Sequence, residues 1–335
     1  MSALASTNMA QNHQAIFPYV VADIGGTNAR WGLVTALEAT GHYRIESIKT
    51  FENKTHPKFE DSLAAYIDYL AGVKVRHVCV ALAGPVLGDR IEMTNINWSF
   101  SVREVEAAFS LDKLLIVNDF TALAYATSAL VGEQLIEIKP GQQKHAPRAI
   151  LGPGTGLGMA SLVPVGDTWM PLSGEGGHTA FAPRGEEEIA LCQYLQAKQG
   201  YLSKETFLSG AGLVRIYQGL AAVRGQVVAA KSAAAISAAA VSGEDSLAVD
   251  TLNLFCGVMG STAADLALTV GALGGVFLGG GILPRVREFL LQSPFVERFC
   301  DKAVMSHYVQ EIPVFLIVAD EPALIGAAAL LAEHS

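Results

Sequence analysis

Two strand–turn–strand segments built around glycine constrain this chain more than any other feature. Tyr19–Val34 (YVVADIGGTNARWGLV) enters through apolar and β-branched residues, reverses at Gly25-Gly26 and leaves through Trp31–Val34. Leu151–Val163 repeats the plan, with an apolar entry, a glycine-threonine turn and a Leu-Val exit. Such a pair suggests one hairpin in each of two lobes, facing each other across a nucleotide. Chance similarity is the alternative, because glycine turns between strands are common.

The second segment opens a stretch with two kinds of recognition chemistry. In Gly152-Pro153-Gly154-Thr155-Gly156-Leu157-Gly158 the glycines let consecutive backbone N–H groups close on an anion, and Thr155 adds a hydroxyl. Downstream, Glu175 and His178 are flanked by Gly174, Gly176 and Gly177, and offer a carboxylate and an imidazole to a small polyol. A phosphate grip followed by a hydroxyl grip points to a small-molecule kinase. Taken singly, each is equally an ordinary glycine-rich turn.

At 335 residues the chain suits two domains closing on a cleft, and 51% hydrophobic with 16% charged residues is globular rather than disordered. With 23 Lys+Arg against 32 Asp+Glu the net charge is −9, which argues against nucleic acid or an anionic membrane as partner. Cys79, Cys192, Cys256 and Cys300 are far apart without a CxxC pair, as expected of reduced thiols in a cytoplasmic protein rather than a zinc site. Residues 1–15 lack a secretory pattern and read as a disordered tail. Leu266–Pro284 is uncharged, but its six glycines fit a helix end, a buried strand and a turn better than a membrane span.

Elsewhere the order is that of an α/β protein. Phe59–Leu70 has helical apolar spacing, Val75–Ala83 reads as a buried strand, and Gly88–Asn95 as a turn and short strand. Ser101 and Glu104 resemble a capping box before a helix over Val102–Phe109. The strand Lys113–Asp119 delivers Asn118 and Asp119 at its carboxyl end, where ligands bind in open α/β sheets. Asp119 is then either a helix N-cap or a catalytic group, and Asn118 beside it favours a ligand. Glu186-Glu187-Glu188 complement a helix dipole, and Glu205 by itself is an unremarkable surface glutamate. The alanine-rich Ala221–Ala240 region, with Glu244 and Asp245 after it, reads as helix plus exposed turn. Helices are expected over Leu213–Leu220, Asp250–Thr269 and Pro322–Glu333, and strands over Val276–Leu278 and Ile312–Val318.

Taken together, ADIGGTNARWGL, AGPVLGDRIEMTNINWSFS, IVNDFTALA, GPGTGLG, GEGGHTAFAP, LSGAGLVRIY, GGVFLGGGILPR and PALIGAAALL resemble the bacterial ATP-dependent glucokinase family, in order over about residues 19 to 330. The resemblance implies the two-lobed actin-like, ribonuclease-H-like ATPase fold, with a small α/β domain (16–128 plus 320–335), a large one (129–319) and a cleft between them. It implies transfer of the ATP γ-phosphoryl group to the 6-hydroxyl of D-glucose in a cytoplasmic homodimer. By matching motif, Asn118 and Asp119 would contact the sugar, with Asp119 the general base, and Glu175, His178 and Glu205 would hold its other hydroxyls. Ala22, Asp23, Ile24, Gly25, Gly26 and Thr27 would wrap the phosphates, Gly154, Thr155 and Gly156 would meet them, and Gly279–Gly281, Gly280 included, would border the adenosine. Asp23 is the expected partner of Mg²⁺ through water.

Two features qualify the resemblance. No cysteine follows His178 until Cys192, unlike the cysteine-rich zinc motif of related repressors and sugar kinases. Thr262-Ala263-Ala264-Asp265-Leu266 stands where the family is expected to carry a glycine pair and an asparagine, which calls the nucleotide contact there into question. A sugar-sensing regulator would need a DNA-binding appendage that about 15 leading residues cannot form, and a dinucleotide-binding fold would need G-x-G-x-x-G opening a helix.

Overall fold

A computed structural model describes residues 16–84, 86, 88–93 and 96–334. The expected tail, Pro85, and Thr94 and Asn95 of the expected turn and short strand lie outside the described residues. The chain forms two compact units. The first runs to Gln134 and takes in Gly166–Pro171 and the chain from Ala319 onward; the second comprises Leu135–Val165 and Leu172–Val318.

In the first unit a five-stranded sheet has the order β3-β2-β1-β4-β7, formed by β1 (Tyr19–Ile24), β2 (Asn28–Leu37), β3 (Tyr43–Glu52), β4 (His77–Leu82) and β7 (Lys113–Asn118). β5 (Arg90–Glu92) and β6 (Ser99–Ser101) make a separate antiparallel pair. β1 runs antiparallel to β2 and parallel to β4, which is parallel to β7. The central strands are apolar because both their faces are covered. One face packs on an aromatic cluster in which Phe59 stacks on Phe100 (4.1 Å between ring centroids) and Trp31 on Tyr66 (5.7 Å), while Trp31 Nε1–H donates to Ser62 Oγ at 3.0 Å. The helices Asp119–Ala126 and Pro322–Glu333 pack on each other within this unit. A Cβ on Gly326 would sit 1.7 Å from the Ala122 carbonyl oxygen, so only glycine permits that approach.

The second unit repeats the plan. Its six-stranded sheet, which belongs to this unit apart from Thr168–Pro171 of the edge strand β11, has the order β11-β10-β9-β12-β13-β8, from β8 (Leu135–Lys139), β9 (Arg148–Pro153), β10 (Leu157–Val165), β11 (Thr168–Gly174), β12 (Val276–Leu278) and β13 (Val314–Ile317). β9–β10 corresponds to β1–β2, and β12 and β13 add in parallel beside β9 as β4 and β7 add beside β1. The two glycine hairpins that look alike in sequence therefore occupy equivalent positions in two sheets of like topology. β8 closes the far edge antiparallel to β13. Helix Ser246–Val270 is long and apolar enough to cross a membrane, and 72% of its most apolar window is buried inside the protein.

Most expected elements form within a few residues of their expected ends, with informative differences. The long helix starts at Ser246 rather than Asp250, because Asp245 is its N-cap and accepts the Leu247 and Ala248 N–H groups (3.0 and 3.2 Å). The alanine-rich region divides into Gly210–Val223 and Ala233–Ser242 with an irregular link between them. β3 and β11 are largely exposed edge strands and carry little apolar pattern to announce them. Glu188 is buried against Arg298 (2.6 Å), a structural role in keeping with the reading of the acidic triplet.

Candidate active site

In the first unit, β1 places Ala22 and Ile24 in the core, and Asp23 between them is partly buried. Gly25, Gly26 and Thr27 form the turn into β2, closed by the Gly25 N–H on the Asn28 carbonyl (3.0 Å). Asn53, which the sequence does not single out, braces this turn twice. Its backbone N–H donates to the Thr27 carbonyl (2.8 Å) and its Nδ2 to the Gly25 carbonyl (2.8 Å). The Asn53 side chain is buried, with Oδ1 unpartnered among the described residues, beside a cavity of about 680 Å³ lined by Gly26, Thr27, Asn28, His56 and Trp98 among others.

Asn118, not Asp119, is the N-cap of helix Asp119–Ala126: its Oδ1 accepts the Phe120 N–H (2.9 Å) and its Nδ2 donates to the Gly84 carbonyl (3.0 Å). Asp119 is the first helical residue, and its Oδ1 also accepts the Phe120 N–H (2.8 Å). β7 lies beside β4 and β4 beside β1, so Asp23 and Asp119 meet at the same end of the sheet. Burial, then the charge of Asp119, pushes the Asp23 carboxyl up to about 6; Arg30 opposes this and Glu321 adds to it. Arg30 is itself paired with Glu321.

In the second unit, the β9–β10 turn Gly154-Thr155-Gly156 is closed by the Gly154 N–H on the Gly156 carbonyl (2.8 Å). Gly279 N–H donates to the Leu151 carbonyl (2.9 Å) and Ile282 N–H to the Pro153 carbonyl (3.3 Å), so the 279–281 turn, with Gly280 at its middle, lies against the end of β9. Beside both turns is a cavity of about 850 Å³, lined by Thr155, Gly281, Arg285 and one face of helix Ala233–Ser242, including Ala234 and Ala238. Gly280 is not among its lining residues. The sequence reading missed this helix as a wall, since alanines carry no chemistry that marks a site; their small size is what leaves the room.

Thr262, Ala263 and Ala264, where the sequence departs from the family pattern, are buried within helix Ser246–Val270, and Asp265 pairs with Lys302 at 2.5 Å. None of them lines the cavity. The departure is accommodated by helix packing and one ion pair.

Glu175 and His178 are exposed on a short turn, Gly176–His178, docked on β10. A Cβ on Gly177 would lie 2.2 Å from the Leu157 carbonyl oxygen, which explains the glycine there. From that turn the chain runs beside 202–204: Lys204 N–H donates to the Thr179 carbonyl (3.0 Å), Phe181 N–H to the Leu202 carbonyl (3.0 Å), and Ala180 bridges Ser203. This pairing carries Glu205 to the same end of β10 as Glu175 and His178. Glu205 is half-buried, and its Oε2 accepts the Leu157 N–H at 2.8 Å. The second unit thus gathers two carboxylates and an imidazole beside the glycine turn.

Among the described residues no cluster of three or more His, Cys, Asp or Glu could hold a metal ion by itself. A hard cation such as Mg²⁺ needs only one or two protein carboxylates beside substrate phosphates, and Asp23, partly buried at the end of β1 next to the Gly25–Thr27 turn, is the carboxylate that would hold it. Burial raises the thiols of Cys192 and Cys256 to about 11 and about 12, so neither is a reactive thiolate.

Comparison with known proteins identifies the family. The glucokinase family profile matches residues 20–334. The glucokinase of Saccharophagus degradans is 48% identical over 94% of this chain and 98% of its own length. The crystal structure of a glucokinase from an Antarctic psychrotroph superposes with a TM-score of 0.89 at 43% identity, covering 94% of this chain and 98% of that one. A ROK family glucokinase from Streptomyces griseus, solved with glucose and AMPPNP, has a TM-score of 0.61 at 24% identity over 94% of this chain and 99% of its own, a likeness of fold alone. The repeated sheet topology is that of the actin-like ATPase fold, and the chain belongs to the glucokinase family.

Proposed function

We propose that the protein phosphorylates D-glucose at its 6-hydroxyl with ATP, and serves as the entry step of glycolysis in the cytoplasm, as a homodimer. The observation that carries the reading is the match, over nearly its whole length, to relatives named glucokinase. The site residues supply the chemistry. The reaction must align a neutral hydroxyl with a polyanionic phosphoryl group, so positioning and charge stabilisation dominate. Asp119 accepts the hydroxyl proton as the O–P bond forms, and Asn118 hydrogen-bonds the sugar. Glu175, His178 and Glu205 hold the remaining hydroxyls.

Ala22–Thr27 and Gly154–Gly156 bind the phosphates through backbone N–H groups. The cavity beside Thr155 and Gly281 takes the adenosine, for which about 850 Å³ is ample. Mg²⁺, held by Asp23 through water, supplies neutralising charge on the phosphates when bound. The test is an assay of ADP release over a panel of hexoses and phosphoryl donors with Mg²⁺ varied. The expected result is turnover with glucose and ATP that requires Mg²⁺; absence of ATP-dependent glucose phosphorylation would overturn the reading.

A further inference from the structure

Glu205 sits where two recognition tasks meet, and the sugar role alone does not account for its contacts. Its Oε2 accepts the N–H of Leu157, the first residue of β10 and the partner of Pro153 across the hairpin. The opposite end of the same turn is held by Gly210, whose N–H donates to the Gly154 carbonyl (2.9 Å). Between them Ser209 ties the segment together, its Oγ donating to the Glu205 carbonyl (3.0 Å) and accepting the Gly212 N–H (3.0 Å). Phe207 and Leu208 anchor the segment in the core, and Ser203 and Thr206 cap its start. A rooted bracket, residues 203–212, therefore grips both ends of Gly154–Gly156.

Resting on the reading above, we infer that Glu205 is a positioning residue for the phosphate turn as well as a sugar ligand: Oε2 fixes the turn through Leu157 while Oε1 remains for a sugar hydroxyl. A bare carboxylate behind an anion cradle would repel phosphate. Here the Leu157 N–H engages part of its charge, and a sugar hydroxyl donating to Oε1 engages more. Sugar occupancy then makes the turn more receptive to the nucleotide, and by linkage the nucleotide favours the sugar by the same factor. Phosphate and sugar sites of the second unit are thereby coupled through one side chain.

The test is titration of a non-hydrolysable ATP analogue with Mg²⁺, in the absence of sugar, into the wild type and three variants. Glu205→Met fills the same space without an acceptor and should weaken analogue binding on the order of tenfold. Glu205→Gln keeps an acceptor for Leu157 while shedding the charge, and should bind the analogue at least as well as the wild type. Asp68→Asn, an exposed control on helix Phe59–Tyr69, should leave analogue affinity unchanged. If Glu205→Met fails to fold by circular dichroism, Glu205→Ala carries the same expectation. Analogue binding by Glu205→Met within about twofold of wild type, or a Gln variant as weak as the Met one, overturns the inference. Wild-type protein that binds no analogue removes the kinase reading and the inference with it, whereas loss of the rank order with wild-type binding intact removes only the inference.

Discussion

Asp23 and Asp119 lie at one end of the first unit's sheet, where burial, and after it the charge on Asp119, holds the Asp23 carboxyl at about 6. Burial disfavours the charged form of Asp23, and a second negative charge nearby disfavours it further. Arg30 offsets part of this effect but is itself engaged by Glu321.

Asp119→Asn tests the base assignment. The variant keeps size and hydrogen bonding but cannot accept a proton, so turnover should fall by about 10²–10⁴ while glucose affinity changes little. Coupled measurement of ADP release and calorimetric glucose titration check the two halves. Turnover within a factor of three of wild type would take Asp119 out of the base role.

Asp23→Asn should separate stability from activity. The folded-state value is raised from 3.8 to about 6, so between these limits the folded protein binds more protons than the unfolded chain. Stability contributed by this group is therefore present below pH 3.8 and is lost as pH rises through about 6. Neutralising the side chain should stabilise the protein at pH 8 by up to about 3 kcal/mol, with the gain vanishing near pH 4, while phosphoryl transfer drops. Urea unfolding at the two pH values is the measurement, and equal gains at both would show that titration of Asp23 is not the cause.

Ala238→Trp probes the nucleotide assignment of the larger cavity. Ala238 lines that space from an exposed helix face, so a bulky ring there should fill it without disturbing the core. The expected outcome is a KM for ATP raised about tenfold, equivalent to about 1.4 kcal/mol, with the KM for glucose unchanged. Steady-state kinetics with each substrate varied decide it. An unaltered KM for ATP would place the nucleotide elsewhere.

Glu188→Ala concerns the fold of the second unit rather than its chemistry. Glu188 is 5% exposed, pairs with Arg298 and accepts the Arg184 N–H at 2.7 Å. Among the described residues Arg298 Nη2 already lacks a partner, so truncation leaves a buried guanidinium further uncompensated, at a cost of about 3 kcal/mol. Denaturant unfolding should show this; a loss below about 1 kcal/mol would mean that water reaches the guanidinium.

Much of this was legible without coordinates because it depends on local rules. β-branched and apolar runs ended by glycine fix the two hairpins, and β7 must deliver Asn118 and Asp119 at its end. The similarity of Tyr19–Val34 to Leu151–Val163 was enough to suggest two related halves. What could not be read was anything that depends on residues distant in sequence meeting. Asn53 bracing the Gly25–Thr27 turn, the alanine wall of Ala233–Ser242 and the bond from Leu157 to Glu205 have no periodicity, spacing or composition to mark them. Local sequence determined which segments turn and which extend, since backbone preference and side-chain burial act over a few residues. Only the tertiary structure decided that a glutamate outside the hairpin holds it and that Asp119 burdens Asp23, because those energies depend on distance in space, not on separation along the chain.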